Sequence, residues 1–156
     1  MDLFAHGLWA LALFKRFPWS WQAAAFAVLP DLFFGLPALF AGISLGRGWQ
    51  NNYEKIFPKV EPFYRTSHSL VTMFLCFAGA SLFFGEPQWG VLAGWGLHIL
   101  LDAPVHRGGW VDGQAVLYPL SQKRIRGKWW FKEEVEKRPW IVAINYALAL
   151  LVYFFA

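Results

Sequence analysis

The residues best suited to chemistry lie in one otherwise apolar stretch, 94–107, which reads Gly-Trp-Gly-Leu-His-Ile-Leu-Leu-Asp-Ala-Pro-Val-His-Arg. His98 and Asp102 are four residues apart, so a helix places both side chains on one face, one turn apart. An imidazole and a carboxylate at this spacing can bind one metal ion. The structural alternative is a histidine that hydrogen-bonds a carboxylate inside a helix bundle. Pro104 predicts that the helix ends near Asp102, with His106 on the chain that turns away.

The other histidines and a second acid also interrupt apolar runs. His6 lies in the first run, Asp31 follows Pro30 directly, and His68 stands between two serines. A carboxylate at the centre of a membrane helix costs about 2.5–3.5 kcal/mol, and two at one depth repel each other unless a positive charge lies between them. A divalent metal supplies that charge, whereas an arginine is the structural alternative. The candidate metal ligands are therefore His6, Asp31, His68, His98, Asp102 and His106.

The composition is that of a membrane protein. Of the 156 residues, 57% are hydrophobic, 20% are aromatic and only 15% are charged. This is more apolar surface than a soluble core of this length needs. We therefore predict one all-α integral-membrane domain over residues 1–156, a polytopic bundle of about five hydrophobic helices with two long loops. The hydrophobic runs are 3–16, 18–45, 68–85, 88–103 and 139–155, and Pro30, Gly35, Pro37 and Gly42 predict that the second is a broken helix.

The positive charges define a topology. Both polar regions, 46–67 and 106–138, are rich in Lys and Arg, whereas the turn Gly85-Glu86-Pro87 has none. The positive-inside rule places both loops in the cytoplasm, in a multi-pass protein of the cell (inner) membrane. The four histidines and both intramembrane acids then share one layer near the cytoplasmic face. Region 46–67 is predicted to be a loop with a single interfacial helical turn, followed by a helix capped by Ser67.

Segment 123–132 alternates bases with aromatic residues. This pattern indicates a segment that lies on anionic lipid headgroups, or an ordinary basic cytoplasmic loop. The net charge of +4 does not indicate nucleic acid, because the basic residues fall between apolar runs. We therefore expect membrane lipids as partners and no nucleic acid.

The order of these motifs resembles the YdjM-type family of predicted membrane-bound metal-dependent hydrolases. The resemblance rests on His6, Pro30-Asp31, Ser67-His68-Ser69 and His98-x-x-x-Asp102, and it covers roughly residues 1–120. The family is distantly similar to zinc-dependent phospholipase C and P1-type nucleases. It implies phosphoester hydrolysis at the membrane, with His6, Asp31, His68, His98 and Asp102 as ligands. Two departures, Phe33 for a second acid and Phe63-Tyr64 where many members carry another histidine, favour one or two ions over three.

The expected activity is metal-assisted hydrolysis of a phosphoester in a lipid or lipid-linked headgroup, with zinc as the favoured ion. Asp31 is a ligand or the general base, and Ser67 and Ser69 orient His68 or cap a helix. Arg65 and Arg107 flank the ligands and either clamp the phosphate or anchor the topology. The competing hypotheses are a small transporter or metal carrier and a non-catalytic scaffold whose polar layer locks the helices together.

Overall fold

The computed structural model describes residues 2–44, 53–107, 112–128 and 135–155. Within these ranges the chain is all-helical and has no β-strand, which confirms the predicted all-α class. A 3₁₀ turn, Ala103–Val105, follows the fifth helix, and one isolated bridge pairs Gln114 with Ile125. The helices are α1 (Leu3–Phe14), α2 (Ser20–Ser44), α3 (Tyr53–Ser67), α4 (Leu70–Phe84), α5 (Trp89–Asp102) and α6 (Trp140–Phe155).

The ends of α4 and α5 have clear local causes. Gly85 adopts a left-handed conformation, with φ of +74°, and ends α4 just before the turn to α5. Helix α5 ends at Asp102, as Pro104 predicts. The cap of α4 differs from the prediction: Ser69, not Ser67, accepts hydrogen bonds from the amides of the first turn. Ser67 is instead the last residue of α3, which is longer than the single turn predicted from the sequence.

Two helices are more regular than predicted. Helix α2 runs without a break through Pro30 and Pro37, although each proline removes one backbone hydrogen bond. The polar region 46–67, predicted to hold one helical turn, contains the 15-residue helix α3. Its apolar residues recur at helical spacing, and Ile56 and Val60 are buried against Ala38 of α2. This burial stabilises a helix that its proline content alone does not favour.

Helix α2 is central and packs against α1, α3 and α5, while α6 packs on α1. Small residues allow the close approach of α2 and α5. A Cβ added at Gly94 of α5 would lie 2.0 Å from the carbonyl oxygen of Ala23, so only glycine fits there. Ala10, Ala23 and Ala27 form a buried cluster of small residues between α1 and α2. These interfaces determine how α1, α2 and α5 present their polar residues to one another.

Among the residues that the structure describes, one helix is long and apolar enough to cross a membrane by itself. Residues Ser20–Ile43 are long and apolar enough to cross a bilayer, and the pair Lys55–Ser67 and Leu70–Phe84, bent by 56°, qualifies only as one broken span. Helices α1 and α6 are apolar but shorter. The predicted five spanning helices are therefore not confirmed. Large apolar side chains nevertheless cover the surface, and Leu82 and Phe83 of α4 are 84% and 82% exposed.

Candidate metal centre

Four potential metal ligands converge from α2, from α5 and from the junction between α3 and α4. Asp31 lies near the middle of α2, His68 lies between α3 and α4, and His98 and Asp102 occupy successive turns of α5. One ligand atom of each residue lies within 4.8 Å of the others. His68, His98 and Asp102 are buried, whereas 23% of the Asp31 side chain is exposed. The structure thus brings together four of the six predicted ligands.

Both histidines of this cluster are oriented by backbone carbonyls. His98 Nδ1 donates to the carbonyl of Ala27 on α2 at 2.7 Å. His68 Nδ1 donates to the carbonyl of Tyr64 at 3.0 Å, with the hydroxyl of Ser67 at 2.9 Å. Because a carbonyl can only accept, each ring carries its proton on Nδ1. In the neutral form of each ring, Nε2 is then the acceptor, which is the form in which imidazole binds metals.

The two Nε2 atoms face each other at 3.1 Å. Two lone pairs at this distance repel each other unless a proton or a metal ion lies between them. Asp102 Oδ2 lies 3.6 Å and Asp31 Oδ1 lies 3.8 Å from each Nε2 atom. Ligand atoms about 2.0–2.2 Å from a tetrahedral zinc ion stand about 3.3–3.6 Å apart. The donor chemistry and spacing therefore fit one divalent metal ion.

His6 lies on the outer side of the two carboxylates. Its Nδ1 is 3.2 Å from Asp31 Oδ2 and its Nε2 is 3.1 Å from Asp102 Oδ1. These are the carboxylate oxygens that do not face the histidine pair. An imidazole that contacts a carboxylate through each nitrogen is satisfied as a doubly protonated donor. His6 is thus placed to position both acids, and its ring also lies 4.0 Å from that of His98.

The other predicted site residues occupy the surroundings of the centre. His106 Nδ1 donates to the backbone carbonyl of Asp102 at 2.9 Å and is 3.8 Å from its Oδ2 atom. Arg65 binds Glu61 at 2.8 Å and Gln122 at 2.7 Å. Arg107 directly follows His106 and is exposed. The four-ligand cluster therefore excludes His106, and the guanidinium of Arg65 is engaged in a neighbouring ion-pair network.

That network connects α3 to the polar segment 112–128. Arg124 shares the Glu61 carboxylate with Arg65. Partial burial raises the pKa of Glu61, but the hydrogen bonds from Arg65 and Arg124 outweigh it and lower the pKa below its usual value. The carboxylate thus remains charged at neutral pH and holds the side chains of Arg65 and Arg124 together on α3.

Two residues near the centre are not apparent from motif spacing. Tyr64 stacks on His68, with ring centroids 4.1 Å apart. It lies four residues before His68, so helical periodicity could have indicated the contact. Gln114 is completely buried. No local signal marks it, because it reaches this region only through tertiary pairing of the polar segment.

The chain matches no protein-family model, no curated protein and no solved structure. The candidate metal centre is therefore argued from the geometry of its side chains alone.

Proposed function

We propose that this protein is a membrane-bound, metal-dependent hydrolase that cleaves a phosphoester of a lipid or lipid-linked headgroup at the cytoplasmic face. The observation that carries the proposal is the pair of Nε2 atoms 3.1 Å apart beside two carboxylates. One divalent cation between these four side chains would satisfy all of them at once. The motif order shared with the YdjM-type family of predicted membrane-bound hydrolases supports the same activity.

The surface supports a membrane location. Helix α2 has the length and hydropathy of a span. Helix α4 fully buries only Met73 and exposes five large apolar side chains, those of Phe74, Leu75, Leu82, Phe83 and Phe84. Contiguous apolar surface on this scale is unusual in soluble monomers and suits contact with lipid. We place α1, α2, α4, α5 and α6 in the bilayer. Helix α3 and segment 112–128, which carry the ion pairs of Glu61, lie at the cytoplasmic surface.

A divalent ion, when bound, would lower the pKa of water and polarise the phosphoryl group. His68 and His98 would hold it through Nε2, because the carbonyls of Tyr64 and Ala27 orient their rings. Asp102 is 2% exposed and would serve as a ligand, whereas Asp31 is 23% exposed. Water that enters the centre therefore meets Asp31, and we assign this carboxylate the role of general base.

Positive charge near the centre favours a phosphate substrate. Arg107 is exposed and follows the turn that ends α5, so its guanidinium is available to an incoming headgroup. Arg65 lies three residues before His68, but its guanidinium already donates hydrogen bonds to Glu61 and Gln122. We therefore assign the phosphate-clamping role to Arg107 in preference to Arg65. The basic residues of segment 123–128 would hold the anionic membrane surface close to the site.

The decisive experiment measures metal content and hydrolysis together. Wild-type protein in detergent should retain stoichiometric metal and release phosphate or a phosphorylated headgroup from mixed phospholipids. Asp102→Asn should lose both properties. Asp112→Asn is the matched control, because Asp112 pairs with Arg126 in a half-exposed position and should retain both.

The same samples discriminate the competing functions. Metal-dependent cleavage of peptides or acyl esters, with phosphoesters untouched, would assign the enzyme to another class. Ion movement in proteoliposomes without hydrolysis would identify a carrier. If the purified protein contains no stoichiometric metal and hydrolyses no substrate, the remaining interpretation is a structural scaffold.

The orientation has its own test. In a variant with Cys76 replaced, single cysteines at positions 55 and 128 should react with an impermeant thiol reagent only after the cytoplasmic side is opened. Labelling of either position from the outside of intact cells would contradict a cytoplasmic site.

A further inference from the structure

Three buried polar atoms beside the metal centre lack hydrogen-bond partners within the described part of the chain. They are the hydroxyl of Tyr64 and both the nitrogen and the oxygen of the Gln114 carboxamide. Tyr64 is 4% exposed and Gln114 is 0% exposed. Buried polar atoms of folded proteins are nearly always paired, so three unpaired atoms in one region indicate a bound polar group that completes them.

Both residues adjoin the ligand His68. The ring of Tyr64 stacks on that of His68, with an interplanar angle of 28°. Gln114 pairs with Ile125 through both backbone groups, at 2.9 and 2.8 Å. Two residues further on, the carbonyl of Val116 accepts from the amide of Leu70 at 2.8 Å. The polar segment thus brings Gln114 to the junction of α3 and α4, where His68 enters the metal centre.

The Tyr64 hydroxyl and the Gln114 carboxamide are neighbours, close enough to interact, but their contact does not have the geometry of a hydrogen bond. A phenol is protonated at neutral pH and can donate. The carboxamide offers both a donor and an acceptor.

The unpaired atoms discriminate among the polar groups of a phosphoester. A phosphate oxygen would accept from Tyr64 and from Gln114 Nε2, but it would leave Gln114 Oε1 without a donor. An ammonium group would donate to Oε1 and leave Nε2 without an acceptor. A hydroxyl group both donates and accepts, so it satisfies the pair. The pair is also neutral, which suits an uncharged group, whereas the metal centre and Arg107 supply the positive charge for phosphate.

We propose that Tyr64 and Gln114 bind a hydroxyl group of the alcohol portion of the substrate, beside the phosphate at the metal centre. This inference rests on the proposed function and narrows its substrate to phosphoesters of polyols, such as a glycerol or sugar headgroup. Choline and ethanolamine headgroups carry no hydroxyl and leave the pair incomplete.

The test measures binding by calorimetry and does not depend on turnover. Zinc-loaded protein in detergent is titrated with glycerol 3-phosphate, ethanolamine phosphate and inorganic phosphate. We expect glycerol 3-phosphate to bind about tenfold more tightly than the other two, equivalent to about 1.4 kcal/mol. Dihexanoyl phosphatidylglycerol in micelles forms a separate arm. Preference for the micellar lipid identifies a lipid headgroup as the source of the hydroxyl, and preference for soluble glycerol 3-phosphate identifies a free polyol phosphate.

Two variants assign this preference to the pair. Tyr64→Phe keeps the ring on His68 and removes only the hydroxyl, and Gln114→Leu removes both carboxamide atoms at similar volume. Each should weaken binding of glycerol 3-phosphate about tenfold and leave inorganic phosphate unchanged. Tyr153→Phe, on the partly exposed surface of α6, is the control and should bind all probes as wild type does. Thermal unfolding in detergent checks that each variant is folded.

The outcomes separate this inference from the proposed function. Equal binding of all three probes by wild type, or an unchanged preference in a folded Tyr64→Phe variant, would overturn the hydroxyl site even if metal and hydrolysis are present. Metal content is measured on the same samples, and its absence counts against the proposed function alone. A preference for glycerol 3-phosphate that Tyr64→Phe abolishes would support the hydroxyl site in either case.

Discussion

Replacement of Gly94 by alanine is expected to disrupt the metal centre without altering any ligand. A Cβ at this position would lie 2.0 Å from the carbonyl oxygen of Ala23, whereas ordinary contacts begin at 3.4 Å. Helices α2 and α5 must therefore separate by about 1.4 Å at this level. The close atom belongs to the backbone of α2, so no side-chain rotation can relieve the overlap.

The separation is transmitted directly to the ligands. His98 lies one turn after Gly94, and Ala27 lies one turn after Ala23, so the hydrogen bond between them lies next to the overlap. A separation on this scale lengthens the His98 Nδ1 to Ala27 oxygen distance from 2.7 Å to about 4 Å, beyond hydrogen-bonding range. Loss of such a supporting contact weakens metal binding about 10–100-fold, and the overpacking costs about 1–3 kcal/mol of stability.

Gly96→Ala is the matched control on the same helix. Its added Cβ would lie 3.5 Å from the Met73 sulfur, an ordinary contact, and we expect wild-type properties. Metal affinity is measured by competition with a chromophoric chelator in detergent, and stability by thermal unfolding. A Gly94→Ala protein that binds metal as tightly as the Gly96→Ala protein would refute the transmission of strain from the helix interface to His98.

Three further predictions concern the surroundings of the centre. His6→Ala should weaken metal binding about 10–100-fold yet preserve the stoichiometry at saturating metal, because His6 positions Asp31 and Asp102 from their outer oxygens. A stoichiometry reduced by one ion in the metal titration would instead identify His6 as a ligand. Removal of metal by a chelator should lower the free energy of unfolding of wild type by about 2.7 kcal/mol relative to metal at 100 times its Kd, and should leave Asp102→Asn unchanged, as followed by thermal unfolding. Burial raises the pKa of Glu61 in the folded state, but Arg65 and Arg124 outweigh this effect and lower it. The ion pairs therefore stabilise the fold above the unfolded-state pKa of Glu61, and this stability is lost as the pH falls through the folded-state pKa. Glu61→Gln should therefore reduce stability at neutral pH by up to about 1 kcal/mol, and its difference from wild type should vanish in acid denaturation curves below that range; a difference that persists there would contradict the ion-pair assignment.

The sequence alone determined the helical class and much of the ligand set. His98 and Asp102 could be paired because both lie on one helix, where spacing defines a common face. The end of α5 near Asp102 followed from Pro104, whose effect on the backbone is local. Asp31 and His68 could be named because polar side chains in apolar runs need partners, whichever helices supply them.

The tertiary structure decided which of these residues lie close enough to share one ion. His6 and His68 are both histidines at the edge of an apolar run, yet only His68 turns its Nε2 atom towards that of His98, while His6 lies behind the carboxylates. This difference depends on the carbonyl of Tyr64 that holds His68 Nδ1. Side-chain rotation and tautomer are set by such contacts and have no signature in residue spacing.

Long-range packing likewise decided the regularity of α2 and α3 and the position of Gln114. Prolines predict breaks because they remove a backbone hydrogen bond, but burial of Ile56 and Val60 against Ala38 favours continuous helices across them. Gln114 reaches the centre through pairing with Ile125, eleven positions away. Local propensity determines where a helix can form, whereas packing between distant segments determines which helices persist and which side chains meet.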